Sequence, residues 1–350
     1  MTTSVKSLVP LVEPVYKKIV SHFPQNYIKF SFAYGSAVFP QGGIKLQEKP
    51  MIDMIFVVDE SENFHNQNLR MNPGHYSFLR YFGHEFITIV QEKWPAKVYF
   101  NTLIPFEKEG IMFKYGVVNQ EDLINDLYDW NYLYLSGRLH KPVKFVEPPV
   151  GPVTTALKQN LMSAIHAALI MLPENFTLME FFLEIADLSY NGDFRMIYGE
   201  DKNKVINIVE KQIPEFCKLY GPLLGTLHDV VEIPDKEAPD KLCTQDTSPR
   251  NRMYHLFQLP KIPQKALIKH WQFHVSWRRK DSEDVLKNMA CDPDIGQILS
   301  NCLKMVVLKS SIEQSLKGLF TAGFKKSLQY SNKKITRMVK AREQKLKWNE

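Results

Sequence analysis

The sequence predicts an α+β protein: a mixed sheet with flanking helices over residues 1–147, then a mainly helical region, then a basic amphipathic helix at the end. Three observations predict it. Short apolar runs bounded by turn residues alternate with helical patterns up to about residue 145. The string Glu147-Pro148-Pro149-Val150-Gly151-Pro152 supports neither helix nor strand and marks a boundary. From Val153 onward the apolar spacing becomes helical.

Residues 12–22 read as a helix. The run Ile28–Tyr34 is strand-like and ends at Gly35-Ser36; after a Pro/Gly turn, residues 51–58 form a second apolar run. Two further strands are expected at residues 97–103 and 111–118. Asn119 is placed to cap a helix whose apolar positions are Leu123, Leu127, Trp130 and Tyr134, with Gly137 and Pro142 marking its end. Beyond the boundary, helices are expected at 156–172, 177–188, 203–219 and 265–277, and from Ser282 to the end, while 230–263, rich in Pro and Asp, reads as surface-winding chain. The division expected is 1–147, 153–225, 226–310 and 311–350.

Composition narrows the function. With 44% apolar and 12% aromatic residues the chain can bury a core in each part, which excludes a disordered scaffold. Four scattered cysteines, Cys217, Cys243, Cys291 and Cys302, form neither zinc spacing nor a disulfide framework. No run approaches the ~18 apolar residues of a membrane-spanning helix. The net charge of +6 is unevenly placed: ten basic and two acidic residues between Lys317 and Glu350 give that stretch +8, so the rest of the chain is slightly acidic. The first residues, with lysines but no arginine, make a poor mitochondrial presequence.

One constellation carries chemistry. Tyr34-Gly35-Ser36 closes the first strand, and Asp53 opens the second. Glycine lets a phosphate approach the backbone, and the serine adds a hydroxyl and an N–H where anions are favoured. A carboxylate on the neighbouring strand can then hold Mg²⁺ against the same triphosphate. This order resembles the nucleotidyltransferase signature, in which Gly-Ser precedes an Asp-x-Asp/Glu. Here Ile55 occupies the place of the second carboxylate. Asp59 shares the strand face but lies about 20 Å along it, too far to share an ion. The second ligand must therefore be a phosphate, water, or a carboxylate such as Glu109 or Asp193.

Longer strings make the resemblance specific. Tyr34-Gly35-Ser36, residues 53–58, NLRMNPGHYS at 68–77, Lys114-Tyr115-Gly116-Val117, LSGRLHKPV at 135–143 and LSYNGDFRM at 188–196 together resemble the mitochondrial phosphatidate cytidylyltransferase family, also called translocator assembly and maintenance proteins. The resemblance implies a nucleotidyltransferase domain, a winged-helix-like second domain and a peripheral position on the matrix face of the mitochondrial inner membrane. It also implies CTP, Mg²⁺ and phosphatidic acid as reactants, with CDP-diacylglycerol as product. Asp53 is then the expected metal ligand, with Tyr34, Gly35, Ser36 and Lys114 at the nucleotide.

Two anionic reactants require cations nearby. The candidates are Arg70 and His75, read as loop residues after the second strand, with Arg138, Arg195, Lys202 and Lys204; Asp193 could simply pair with Arg195. In the tail, Ile312, Leu316, Leu319, Phe320 and Phe324 recur at helical spacing among lysines, the pattern of a helix that lies on an anionic membrane. Nucleic acid is not an expected partner, because Tyr330 is the only aromatic residue among the basic ones between Lys325 and Arg342. The rival readings are a nucleotidyltransferase acting on RNA or a soluble acceptor, and a non-enzymatic assembly factor. The sequence leaves the oligomeric state open.

Overall fold

The computed structural model describes residues 13–39, 51–198, 203–234, 240–274 and 281–323. Its elements in order are α1 (Glu13–Val20), β1 (Ile28–Tyr34), β2 (Ile52–Val58), α2 (Ser61–Met71), α3 (Gly83–Glu92), β3 (Val98–Phe106), β4 (Ile111–Asn119), α4 (Gln120–Asp129), α5 (Leu135–Arg138) and β5 (Lys144–Phe145). The second half holds α6 (Pro152–Met171), β6 (Asn175–Thr177), α7 (Leu178–Asp187), α8 (Phe194–Tyr198), α9 (Lys204–Leu224), β7 (Val231–Glu232) and β8 (Leu242–Gln245). It closes with α10 (Pro249–Phe257), α11 (Lys261–His274), α12 (Ser282–Ala290) and α13 (Ile295–Ala322).

The expected mixed sheet is present, in the order β3-β4-β2-β1-β5. β2 runs parallel to β4 and antiparallel to β1. As a central strand covered on both faces it reads as a nearly unbroken apolar run, in which Asp53 is the exception. One face carries Met54, Phe56, Tyr115 and Val117 against Tyr16 and Ile19 of α1 and Phe64 of α2. The other carries Phe32, Ile55, Val57 and Val118 against Leu123 and Leu127 of α4, Leu135 of α5 and Val153 and Ala156 of α6. Asp53 belongs to this second face by alternation.

A separate core joins α6, α7, α9, α10, α12 and the first half of α13, with Phe181, Phe182, Phe216 and Tyr220 at its centre. Thr177 and Glu180 form a reciprocal capping box at the start of α7. A small antiparallel sheet, β6-β8-β7, lies beside these helices. Gln245 ties it to α6 by donating to the Leu169, Leu172 and Pro173 carbonyls at 3.0, 3.0 and 2.9 Å.

Four expectations are corrected. The helix capped by Asn119 stops at Asp129 rather than running to Gly137. Trp130 takes φ +55°, and the buried Asp126 carboxylate accepts from Tyr132 N–H, Ser136 N–H and the Ser136 hydroxyl, turning the chain into α5. Residues 59–71 are mostly helical, because α2 is a polar helix that buries only Ser61, Phe64, His65 and Asn68, too few for a periodic signal. The chain at 230–263 pairs as β7 and β8 and then forms α10. The C-terminal helical stretch breaks in two after Ala290.

Candidate functional site

The three inner strands align the signature residues on one line. Tyr34 is the register partner of Asp53, and Asp53 that of Lys114. Gly35 stands at φ +84°, a conformation that side chains rarely adopt, and a Cβ there would lie 3.3 Å from Asp53 Oδ2. The carboxylate is thus turned toward the glycine-serine turn. That turn is closed by Val38 and Phe39 N–H groups donating to the Gly35 carbonyl, both at 3.0 Å, and leaves Ser36 exposed at its tip. Lys114 Nζ lies 4.1 Å from the centre of the Phe100 ring.

The second face is completed by α5 and the helical half. Arg138 stacks its guanidinium 4.7 Å over the Tyr34 ring and donates to Tyr190 Oη at 3.5 Å. Burial alone would lower its pKa; the neighbouring Tyr190, Tyr34 and Asp53 outweigh it and raise it. Lys141, absent from the sequence-based candidates, is buried and donates to Gly137 O at 2.5 Å and to Ser189 Oγ at 2.6 Å. Its Nζ and that of Lys204 lie 4.9 and 5.2 Å from the Tyr190 ring centre. Burial, then Arg138, push the Lys141 pKa well down, as does Lys204, while Asp187 opposes them. A Cβ on Gly137 would lie 2.4 Å from Ser189 Cβ, so only glycine lets the two halves meet at this point.

The site therefore gathers Tyr34, Gly35, Ser36, Asp53, Lys114, Arg138 and Lys204 around one strand end, and adds Lys141, Asp187 and Tyr190. The signal for Lys141 was present: it lies three residues after Arg138 in the LSGRLHKPV string. Other candidates lie elsewhere. His75 Nδ1 is 3.2 Å from Tyr115 Oη, and Arg70 is exposed on α2, both on the sheet face opposite Asp53. That location follows from alternation, since Tyr115 and Lys114 are neighbours on one strand. Asp193 and Arg195 close on each other, with Arg195 Nε donating to the Asp193 carboxylate at 2.9 and 3.1 Å. Glu109 pairs with Lys18 at 2.7 Å. Lys202 lies outside the described residues.

For a divalent cation, Asp53 is the carboxylate turned toward the Gly35-Ser36 turn, and it belongs to no group of three metal-binding side chains among the described residues. One carboxylate fits Mg²⁺, which commonly binds through one or two carboxylates with substrate phosphates and water.

Fold and site together define an α+β protein in which a single strand-end carboxylate is surrounded by cations, a class of site suited to phosphate esters. The chain belongs to the mitochondrial phosphatidate cytidylyltransferase family, whose sequence model matches residues 16–337. It is 42% identical over 332 residues to the mitochondrial phosphatidate cytidylyltransferase of Xenopus laevis, covering 93% of this chain and 95% of that one. The Bos taurus protein of the same name is 44% identical, with 93% and 94% covered. The Caenorhabditis elegans one is 36% identical, with 93% and 99% covered.

Proposed function

We propose that this protein transfers CMP from CTP to phosphatidic acid, giving CDP-diacylglycerol and pyrophosphate for phospholipid synthesis in mitochondria. The observation that carries the reading is the alignment of Asp53 against Gly35, with Lys114, Arg138, Lys141 and Lys204 around them, in a chain whose relatives are named for this reaction. The phosphate monoester of the lipid is already an anionic nucleophile, so the step needs alignment and charge neutralisation more than a general base. A phosphate oxygen of the lipid bonds to the α-phosphorus of CTP as the bond to the pyrophosphate oxygen breaks. The Gly35-Ser36 turn holds the triphosphate, and the cations of α5 and α9 bring the second anion within reach. Mg²⁺ held by Asp53 would neutralise charge on the phosphates.

In this reading residues 1–147 form the nucleotidyltransferase domain. The order α6, β6, α7, α8, α9, β7, β8, with β8 in the middle of its sheet, supports a winged-helix-like layout for the next part. No helix among the described residues is long and apolar enough to cross a membrane. We place the protein peripherally on the matrix side of the inner membrane; the basic residues beyond Gly323, whose charge favours anionic lipid, lie outside the described residues.

The test supplies labelled CTP with phosphatidic acid or with RNA. Label in a chloroform-soluble product is expected; label on RNA would establish the rival acceptor. Asp53→Asn is expected to cut turnover at least about 100-fold with the melting temperature unchanged. Turnover near wild type in that variant removes Asp53 from the mechanism.

A further inference from the structure

α13 is amphipathic in an inverted sense. Over its last turns the buried residues are polar: Ser310, Ser311, Gln314, Lys317 and Thr321. They anchor it to the sheet edge and to α3, Gln314 donating to Val98 O of β3 at 3.4 Å and Lys317 to Gln91 O of α3 at 3.0 Å. Ile312, Leu316, Leu319 and Phe320 are exposed instead, Leu316 with 54% of its surface free. The chain at 78–89 also turns an apolar stripe outward. α3 buries Ile87 and Val90 yet exposes Phe86 and Ile89. Phe82 extends that outer stripe, its ring 5.3 Å from that of Phe86, and Tyr81 beside it is 76% exposed.

The two stripes meet. The Trp94 and Phe320 rings are 5.9 Å apart, and the Ser77 hydroxyl donates to Phe320 O at 2.8 Å. One apolar stripe is enough to seat a helix; a second facing water adds nothing to folding and marks a surface meant to be covered.

We propose that this aromatic plate, formed by Tyr81, Phe82, Phe86, Ile89, Leu316 and Phe320, inserts into the interface of an anionic phospholipid bilayer; it rests on the reading that the acceptor is a lipid. Tyr, Trp and Phe rings favour the headgroup boundary over either water or a dry core. Arg80 lies 4.8 Å over the Tyr81 ring and Lys93 is exposed at the end of α3, while the exposed Glu85 beside Phe86 lies 3.6 Å from His84. Gly323, where the strongly basic last stretch of the chain begins, lies against Ser77 at the plate's edge. That stretch would repel its counterpart on a second copy and attract acidic headgroups.

The test uses the full chain and vesicles of phosphatidylcholine containing phosphatidate. A Tyr81→Ser, Phe82→Ser, Phe86→Ser variant with an unchanged melting curve is expected to lose about 100-fold in vesicle partitioning. Its turnover on water-soluble, short-chain phosphatidate should match wild type. In the unaltered plate, brominated acyl chains should quench the emission that Trp94→Phe removes. Vesicle binding equal to wild type in the triple variant, or no such quenching, overturns the proposal. So does a shift from dimer to monomer with vesicle binding intact, which would assign the plate to a second copy. Vesicle binding by a wild type that fails to turn over the short-chain lipid would overturn the catalytic reading and leave the plate standing.

Discussion

Gly35 combines two demands that no other residue meets, a positive φ and room for the Asp53 carboxylate 3.3 Å from its missing Cβ. Gly35→Ala should therefore cost about 1 to 2 kcal/mol in backbone strain. It should lower turnover at least about tenfold by displacing Asp53, read by melting curves and steady-state assays. Lys141 poses the opposite balance. Burial beside Arg138 and Lys204 disfavours its charged form, a cost that a bound polyanion would relieve. Lys141→Met should leave stability unchanged or higher, since Gly137 O still accepts from Ser189 Oγ, while turnover falls about 100-fold. A loss of stability equal to the loss of activity would make it structural. Tyr34, Gly35 and Asp53 were legible because they close one apolar run and open the next, while Lys114, mid-strand, was named at the nucleotide through the family resemblance. Lys141 lay in the same string as Arg138, but nothing in that string singles it out, because its surroundings are set by Ser189 and Tyr190, about fifty positions later in the chain.

At the scale of elements, the short link from α4 to α5 decides where Arg138 stands. Asp126 receives three hydrogen bonds from that link, and Asn160 of α6 braces it by accepting from Trp130 Nε1 at 2.8 Å and donating to Ser136 O at 3.0 Å. Asp126→Ala should destabilise by about 2 to 4 kcal/mol, because the buried Ser136 and half-buried Tyr132 donors lose their acceptor. Turnover should fall with it, and Asp126→Asn should restore part of both in paired melting and activity measurements. The strands were readable because each buries a run of apolar residues between turn residues. This link was not, since Trp130 continues the helical spacing of Leu123 and Leu127 while its backbone turns left-handed. α2 escaped for the opposite reason: its contacts are a buried polar network, His65 and Asn68 meeting Tyr76 Oη at 2.9 and 2.8 Å, which no apolar pattern announces.

Across the whole molecule, α13 begins in the helical core with Ile295, Leu299, Leu303 and Val307 and ends on the edge of the sheet. Lys317, counted in the sequence among the basic residues of the tail, is fully buried there, and burial followed by Lys97 lowers its pKa to about 7 against a partial opposing pull from Asp122. An unfolded lysine keeps its proton to about 10.5, so between these values the unfolded chain binds more protons and this group's contribution to stability rises with pH. Lys317→Met should accordingly gain on wild type near pH 7, by at most a few kcal/mol, and the gain should shrink toward pH 10 in melting series of both. An advantage independent of pH would mean that Lys317 does not titrate in this range.

Because Gln314 binds the β3 edge and Lys317 the end of α3, where the polypeptide is cut matters more than how much is removed. Shortening it to end at Gly323 discards most of the positive charge and should keep the melting temperature. Ending it at Ser311 strips the cover from an edge strand and should yield a protein that melts earlier and self-associates. Any lipid-binding defect seen in that shorter form would then report damage to the sheet.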